Sequence, residues 1–77
     1  LLDGKTIKDE DRAIVYSQYA RALRLKNDFI NAKKFLKKAL ELKISTITKM
    51  NLYDNLANAY SDLKEYSKAK EYYTKSI

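Results

Sequence analysis

The chain has 77 residues and a formal net charge of +6, so it forms at most one small domain with a thin hydrophobic core. With no proline, one glycine, 45% hydrophobic and 34% charged residues, the composition argues against disorder and a many-turned β-sandwich, and favours a helical domain. The absence of cysteine and histidine excludes disulfides, thiolate zinc sites and the commonest general base, so we expect no catalysis, no metal and no cofactor.

No apolar run in the sequence approaches the roughly 20 residues needed to cross a bilayer, and no signal-peptide pattern opens the chain. The sequence therefore predicts a soluble, cytoplasmic protein without a membrane span. The chain opens at Leu1 rather than at a methionine, which suggests processing or trimmed ends. Because stacked helical arrays generally need about three units, we also expect the chain to be a fragment of a larger protein.

A first helix is predicted over about 7–26. Thr6, followed three residues later by Asp9, resembles a capping box, and the acidic run that continues to Asp11 places negative charge where the helix dipole favours it. The apolar side chains of this helix recur at spacings of three and four residues, which is typical of a buried stripe. The stripe comprises Ala13, Tyr16, Tyr19, Ala20 and Leu23.

A turn at Asn27 and Asp28 separates this helix from a second one, because asparagine tolerates a left-handed backbone and aspartate caps helices. The buried side of the second helix is predicted to carry Phe29, Ala32, Phe35, Leu36, Ala39 and Leu40. Its other side carries Lys33, Lys34, Lys37 and Lys38. These lysines form either an ordinary solvated face or a surface that attracts nucleic acid or another anionic partner.

After a break and new N-cap at Ser45 and Thr46, a third helix is predicted over about 47–63. A second break at Lys64 and Glu65 precedes a fourth helix over about 66–77. The third helix is predicted to bury Leu52, Tyr53, Leu56, Ala57 and Tyr60, and the fourth Tyr66, Ala69, Tyr72, Tyr73 and Ile77. With no polar capping helix visible after this last face, we expect it to be incompletely covered and to favour self-association through exposed repeat ends.

Shifting the sequence by 37 residues superposes the second helix pair on the first, which indicates an internal repeat. The shift places Tyr53 on Tyr16, Ala57 on Ala20, Tyr66 on Phe29, Ala69 on Ala32 and Tyr73 on Leu36. Small residues at the alanine positions allow two helices to approach closely, while the aromatic residues fill the space around that contact. The pattern predicts an all-α fold of two antiparallel helix hairpins that stack as a solenoid.

At these positions the sequence resembles the tetratricopeptide repeat family, whose signature is an aromatic residue, leucine, a small residue and tyrosine, and later alanine and an aromatic residue. The second copy matches at Tyr53, Leu56, Ala57, Tyr60, Ala69 and Tyr73, and the first more loosely at Tyr16, Tyr19, Ala20, Leu23, Ala32 and Leu36. The resemblance implies one domain over 1–77, built as a short right-handed α-solenoid. Repeat one covers about 13–43 and repeat two about 50–77, and 1–10 is the end of a preceding unit or a lead-in.

The resemblance also implies that the first helix of each pair lines a concave groove, where a non-catalytic module binds a peptide or protein segment. The candidate peptide-binding residues are Ser17, Gln18, Arg21, Arg24, Asn51, Asp54, Asn55, Asn58 and Asp62. Arginine forms forked hydrogen bonds with carboxylates and asparagine offers both donor and acceptor, so the segment is expected to be acidic near the first repeat. The same residues also suit an ordinary polar surface.

The stretch 55–60 is similar to repeats of kinesin light chains and of bacterial peptide-pheromone receptors, which suggests the sensory or scaffolding part of a bacterial regulator. Two alternatives stay open: a basic adaptor to nucleic acid or anionic surfaces, and a structural spacer or oligomerisation repeat. Tyrosines beside many lysines also suit stacking on single-stranded nucleic acid. Because Tyr16, Tyr53, Tyr60, Tyr66 and Tyr73 fall on predicted buried stripes, core packing is favoured over that use.

Overall fold

A computed structural model describes residues 8–77 and contains four α-helices and no strand in that range. The helices are α1 (Asp9–Leu25), α2 (Phe29–Leu40), α3 (Thr46–Asp62) and α4 (Tyr66–Ser76). The predicted helices are confirmed, with ends that differ by one or two residues. None of the four, in this part of the chain, is long and apolar enough to cross a membrane. The predicted cap at Thr6 and residues 1–7 of the segment 1–10, expected to end a preceding unit or to form a lead-in, lie outside the described residues. Asp9 and Glu10 of that segment belong to α1.

Both helix hairpins turn at a residue with a left-handed backbone, and the two turns are equivalent under the 37-residue shift. Asn27 has a φ of 64° in the first hairpin, and Lys64 has a φ of 63° in the second. In each turn, the N–H groups of this residue and the next donate to carbonyl groups in the last helical turn at 2.8 to 2.9 Å. This Schellman arrangement satisfies carbonyls that a helix end otherwise leaves without partners. A tight turn between two contacting helices makes each pair antiparallel.

Side-chain caps start the second and third helices where the sequence predicts them. The Asp28 carboxylate accepts a hydrogen bond from the Asn31 N–H at 3.4 Å, and Ser45 Oγ accepts one from the Thr48 N–H at 3.2 Å. The first helix begins differently, because its N-cap residue, Lys8, contributes no side-chain hydrogen bond. Its start is held instead by contacts with the α2–α3 loop, which are described with the site.

The core lies around α3, which packs against α1, α2 and α4. Buried side chains are Ala13, Ala20, Ala32, Leu36, Ala39, Leu52, Leu56, Ala57, Ala59, Tyr60 and Ala69. The four alanines of the repeated pattern are all among them, which agrees with close helix approach at those positions. Ala59 lies outside the predicted stripe, and it is buried because a helix with three neighbours buries more than one face.

Three tyrosines that the sequence predicts to be buried are exposed. Tyr66 is 62% exposed and Tyr73 38%, because α4 packs on α3 alone among the described helices. Tyr19 is 50% exposed, since it lies at the edge of the first hairpin with its ring against Phe35 at a centroid distance of 4.9 Å. Ile77 follows the end of α4 and is exposed. The last face is therefore incompletely covered, as expected, while self-association through it stays a prediction.

Candidate peptide-binding groove

The two first helices of the hairpins, α1 and α3, contact each other and form a groove in which all the candidate residues lie. A central cavity of about 300 Å³ has Ala20 and Leu36 among its lining residues, and its polar lining is Ser17, Arg21, Arg24, Asn51, Asp54, Asn55 and Asn58. Gln18 lines an adjoining cavity, and Asp62 lines a third one farther along α1. The helical spacing thus brings the nine side chains into one continuous concave surface.

Two hydrogen-bonded pairs join α1 to α3 across this groove. Asn55 Nδ2 donates to Ser17 Oγ at 3.0 Å, and Arg24 Nε donates to Asp62 Oδ2 at 2.6 Å. The second pair is a charge-assisted hydrogen bond between partly buried side chains. Both pairs connect residues 38 positions apart, so they hold the two repeats together. These four side chains are consequently less available to a ligand than the sequence suggests.

Arg21 differs from Arg24, although both lie on the same face of α1. Arg21 is exposed, and its guanidinium has no hydrogen-bond or ion-pair partner among the described residues. Gln18, Asn51 and Asp54 likewise have no side-chain partner in the described range. The groove therefore offers one cation, two amides and one carboxylate that have no partner within the described fold.

Asn58 has a partner that sequence reasoning missed. Its Oδ1 accepts a hydrogen bond from the Tyr73 hydroxyl of α4, and the side chain still lines the central cavity. The sequence predicts Tyr73 to be a core residue. In the structure its side chain is 38% exposed, because α4 is incompletely covered, and its hydroxyl makes this hydrogen bond. The Asn58 amide N–H₂ group remains as a donor toward the groove.

Both ends of the groove are more apolar than its centre, which the sequence reasoning also missed. At one end, a cavity is lined by Ala13, Ile14, Ser17, Ile47, Thr48, Asn51 and Leu52. At the other end, Leu25 and Phe29 join Arg21, Arg24, Asn27 and Asp62. Ile14 lies three residues before Ser17 and seven before Arg21, so it is on the same face of α1. Helical periodicity alone could therefore have identified Ile14 as a groove residue.

Comparison with known proteins agrees with this architecture. A family model described as tetratricopeptide repeat matches residues 11–77. The chain belongs to the tetratricopeptide repeat family. Repeats of this family generally mediate protein–protein interactions and are generally non-catalytic. No curated protein and no solved structure gives a significant match to the chain.

In this tetratricopeptide repeat protein, the acidic run at the start of α1 connects the two repeats. Asp9 Oδ2 accepts a hydrogen bond from the Lys43 N–H at 3.0 Å. The Glu10 carboxylate accepts one from the Thr48 hydroxyl at 2.7 Å and another from the Ser45 N–H. These hydrogen bonds stabilise the ionised form and lower the pKa of Glu10. The run is therefore more than the helix-start chemistry that the sequence predicts, because it fixes α1 against the beginning of α3.

The opposite side of the tetratricopeptide hairpins carries an outer lysine–tyrosine face, formed by Lys33, Lys37, Tyr60, Tyr72 and Lys75. The ammonium groups of Lys33 and Lys37 lie 5.1 and 5.8 Å from the centroid of the Tyr60 ring, and that of Lys75 lies 4.9 Å from the Tyr72 ring. The two rings stack with centroids 5.4 Å apart. The neighbouring Tyr60 side chain raises the pKa of Lys37. These lysines therefore already have aromatic partners within the fold.

Proposed function

We propose that the chain is a non-catalytic interaction module that binds an acidic segment of a partner protein in the groove between α1 and α3. The observation that carries the proposal is the guanidinium of Arg21, which lines the groove and has no partner among the described residues, whereas the neighbouring Arg24 is paired with Asp62. A cation on a concave surface attracts a carboxylate more strongly than one on an open surface, because the walls displace part of the screening water.

The chemistry of the groove suits binding to a polypeptide. Arg21 offers the forked donors that match a carboxylate. Arg24 contributes less, because its guanidinium already donates a hydrogen bond to Asp62. Gln18 and Asn51 supply amide donors and acceptors, which pair with backbone groups without regard to side-chain identity. The Ser17 hydroxyl accepts a hydrogen bond from an amide, and such a contact does not activate a hydroxyl as a nucleophile.

The basic-adaptor alternative would use the outer lysine–tyrosine face. There, Lys33 and Lys37 lie over the Tyr60 ring, and Lys33 also pairs with Glu65 at 3.5 Å. Tyr60 is only 3% exposed, so it has no free ring face on which a nucleotide base can stack. These contacts favour the groove over the outer face as the binding surface.

The test is a titration with a capped peptide of alternating glutamate and alanine, followed through backbone amide chemical shifts. We expect the largest shifts at the groove residues Gln18, Arg21 and Asn51, and saturable binding that weakens in Arg21→Ala. Shifts confined to Lys33, Lys37 and Lys75, or the absence of any saturable shift, would overturn the proposal. A peptide of alternating glutamine and alanine is the matched control for charge.

A further inference from the structure

The apolar end of the groove is a concave feature that a purely polar binding surface does not need. Ile14 of α1 and Ile47 of α3 line the same cavity, and they remain 47% and 79% exposed. Ser17 and Asn51 line both this cavity and the adjoining polar one, so the apolar and polar parts are continuous. An apolar side chain of a ligand would remove the two isoleucines from water.

The distance from this apolar end to the free cation follows from helix geometry. Ile14 and Arg21 lie on the same side of α1, two helical turns apart, which corresponds to about 10 Å along the axis. Both residues line groove cavities that share Ser17. A ligand that fills the apolar cavity and also pairs with Arg21 must therefore present an apolar group and a carboxylate at about this separation.

The groove amides favour a ligand in an extended conformation. Gln18 and Asn51 are exposed amides that can pair with the backbone donors and acceptors of a ligand, and an α-helical ligand uses these groups internally. An extended segment leaves them free. In the polyproline II conformation, with three residues per turn and about 3.1 Å per residue, side chains three positions apart lie on the same side about 9 Å apart.

We infer that the groove selects an extended segment in which an apolar residue and an acidic residue are three positions apart. The apolar side chain occupies the cavity at Ile14 and Ile47, and the carboxylate pairs with Arg21. This inference rests on the proposed function, because it specifies the ligand of the same groove.

A peptide series of constant composition tests this spacing. Each capped peptide carries one leucine and one glutamate, with the glutamate one to five positions after the leucine in one set and before it in a second set. We expect a separation of three to bind tightest, by about fivefold over separations of one and five, as loss of one of two contacts implies. Equal dissociation constants across both sets would overturn the inference and leave the groove proposal standing.

Two matched variants identify the apolar cavity. Ile47 and Ile30 are each the second residue of a helix and both are exposed, so Ile47→Gln and Ile30→Gln should keep the melting temperature of the parent chain. We expect Ile47→Gln to abolish the preference for a separation of three and Ile30→Gln to retain it. A preference unchanged in Ile47→Gln would overturn the inference. If no peptide of either set binds, and the glutamate–alanine peptide also fails, the proposed function itself is wrong.

Discussion

The two faces of the helix hairpins use their charges differently. The outer lysine–tyrosine face belongs to the more basic part of the chain, since α2 carries four lysines and no acidic residue. Of these, Lys33 and Lys37 nevertheless lie over the Tyr60 ring and Lys38 over the Phe35 ring, and Lys33 also pairs with Glu65. Lys34 has no partner among the described residues. The groove carries two arginines and two aspartates, of which Arg24 and Asp62 pair with each other, whereas Arg21 and Asp54 have no partner among the described residues. The difference shows that the density of charge along a sequence does not locate a binding surface, because local partners can satisfy most of it.

The largest expected effect is a loss of stability caused by a substitution in α3, the helix that contributes to both faces. Ala57 of α3 is fully buried, so Ala57→Leu should overpack the core and lower the free energy of unfolding by about 1 to 3 kcal/mol. Ala22→Leu on the exposed side of α1 is the matched control and should be nearly neutral. Thermal or urea unfolding measures both variants. Equal melting temperatures for Ala57→Leu and the parent chain would contradict the placement of α3.

A smaller effect separates the two groove arginines. A double-mutant cycle on Arg24 and Asp62 should give a coupling of about 0.5 to 1 kcal/mol in the free energy of unfolding, because the pair is only partly buried. Arg21→Ala should change stability by less than about 0.5 kcal/mol, as is usual for an exposed side chain without partners. If Arg21→Ala destabilises the fold as much as Arg24→Ala does, Arg21 is a structural residue and is not free for a ligand.

The outer face should show a weak structural role for its lysines. The Lys75 ammonium lies near the rings of Tyr72 and Tyr53, so Lys75→Met should lower the free energy of unfolding by about 0.5 kcal/mol. Lys68 is exposed on the same helix, and Lys68→Met serves as the matched control with no expected loss. Chemical denaturation of the two variants measures the difference. Identical stabilities would mean that the tyrosine rings do not hold Lys75.

The smallest expected effect is on the pH dependence of stability, through Glu10 at the start of α1. The pKa of Glu10 is lowered in the folded state by the hydrogen bonds from Thr48 and Ser45. A depressed pKa contributes stability that is present above the ordinary value of 4.5 and is lost as the pH falls through the folded-state value. Glu10→Gln should therefore flatten the acid limb of a stability–pH curve. Glu71→Gln, at an exposed position without a partner among the described residues, is the matched control. An acid limb that is the same in Glu10→Gln and the parent chain would contradict these hydrogen bonds.

The helices and turns could be predicted from the sequence because they depend on residues close in the chain, and because the same pattern occurs twice. Helical periodicity and the 37-residue shift located the four helices, and Asn27 marked a left-handed turn that Lys64 repeats. Burial was less predictable, since periodicity identifies an apolar face and does not say whether a neighbour covers it. Tyr66 and Tyr73 are exposed for that reason, and Ala59 is buried because α3 has three neighbours.

The site was predicted as a set of residues but not as a set of contacts. Helical spacing placed Ser17, Arg21 and Asn55 on one surface, as found. The pairing of Asn55 with Ser17 and the reach of Glu10 to Thr48 both join residues 38 positions apart, so they depend on how α1 and α3 cross. That long-range geometry has no signal in a single sequence. It also decides which of the two groove arginines remains free.

The central claim, that the groove and not the outer face binds an acidic segment, is tested most directly by comparing two substitutions. The dissociation constant of one acidic peptide is measured for the parent chain, Arg21→Ala and Lys37→Ala, which remove one cation from each face. We predict that Arg21→Ala weakens binding by about tenfold, as expected for loss of a charge-assisted hydrogen bond, and that Lys37→Ala has little effect. A larger loss in Lys37→Ala than in Arg21→Ala would contradict the account and identify the outer lysine–tyrosine face as the binding surface.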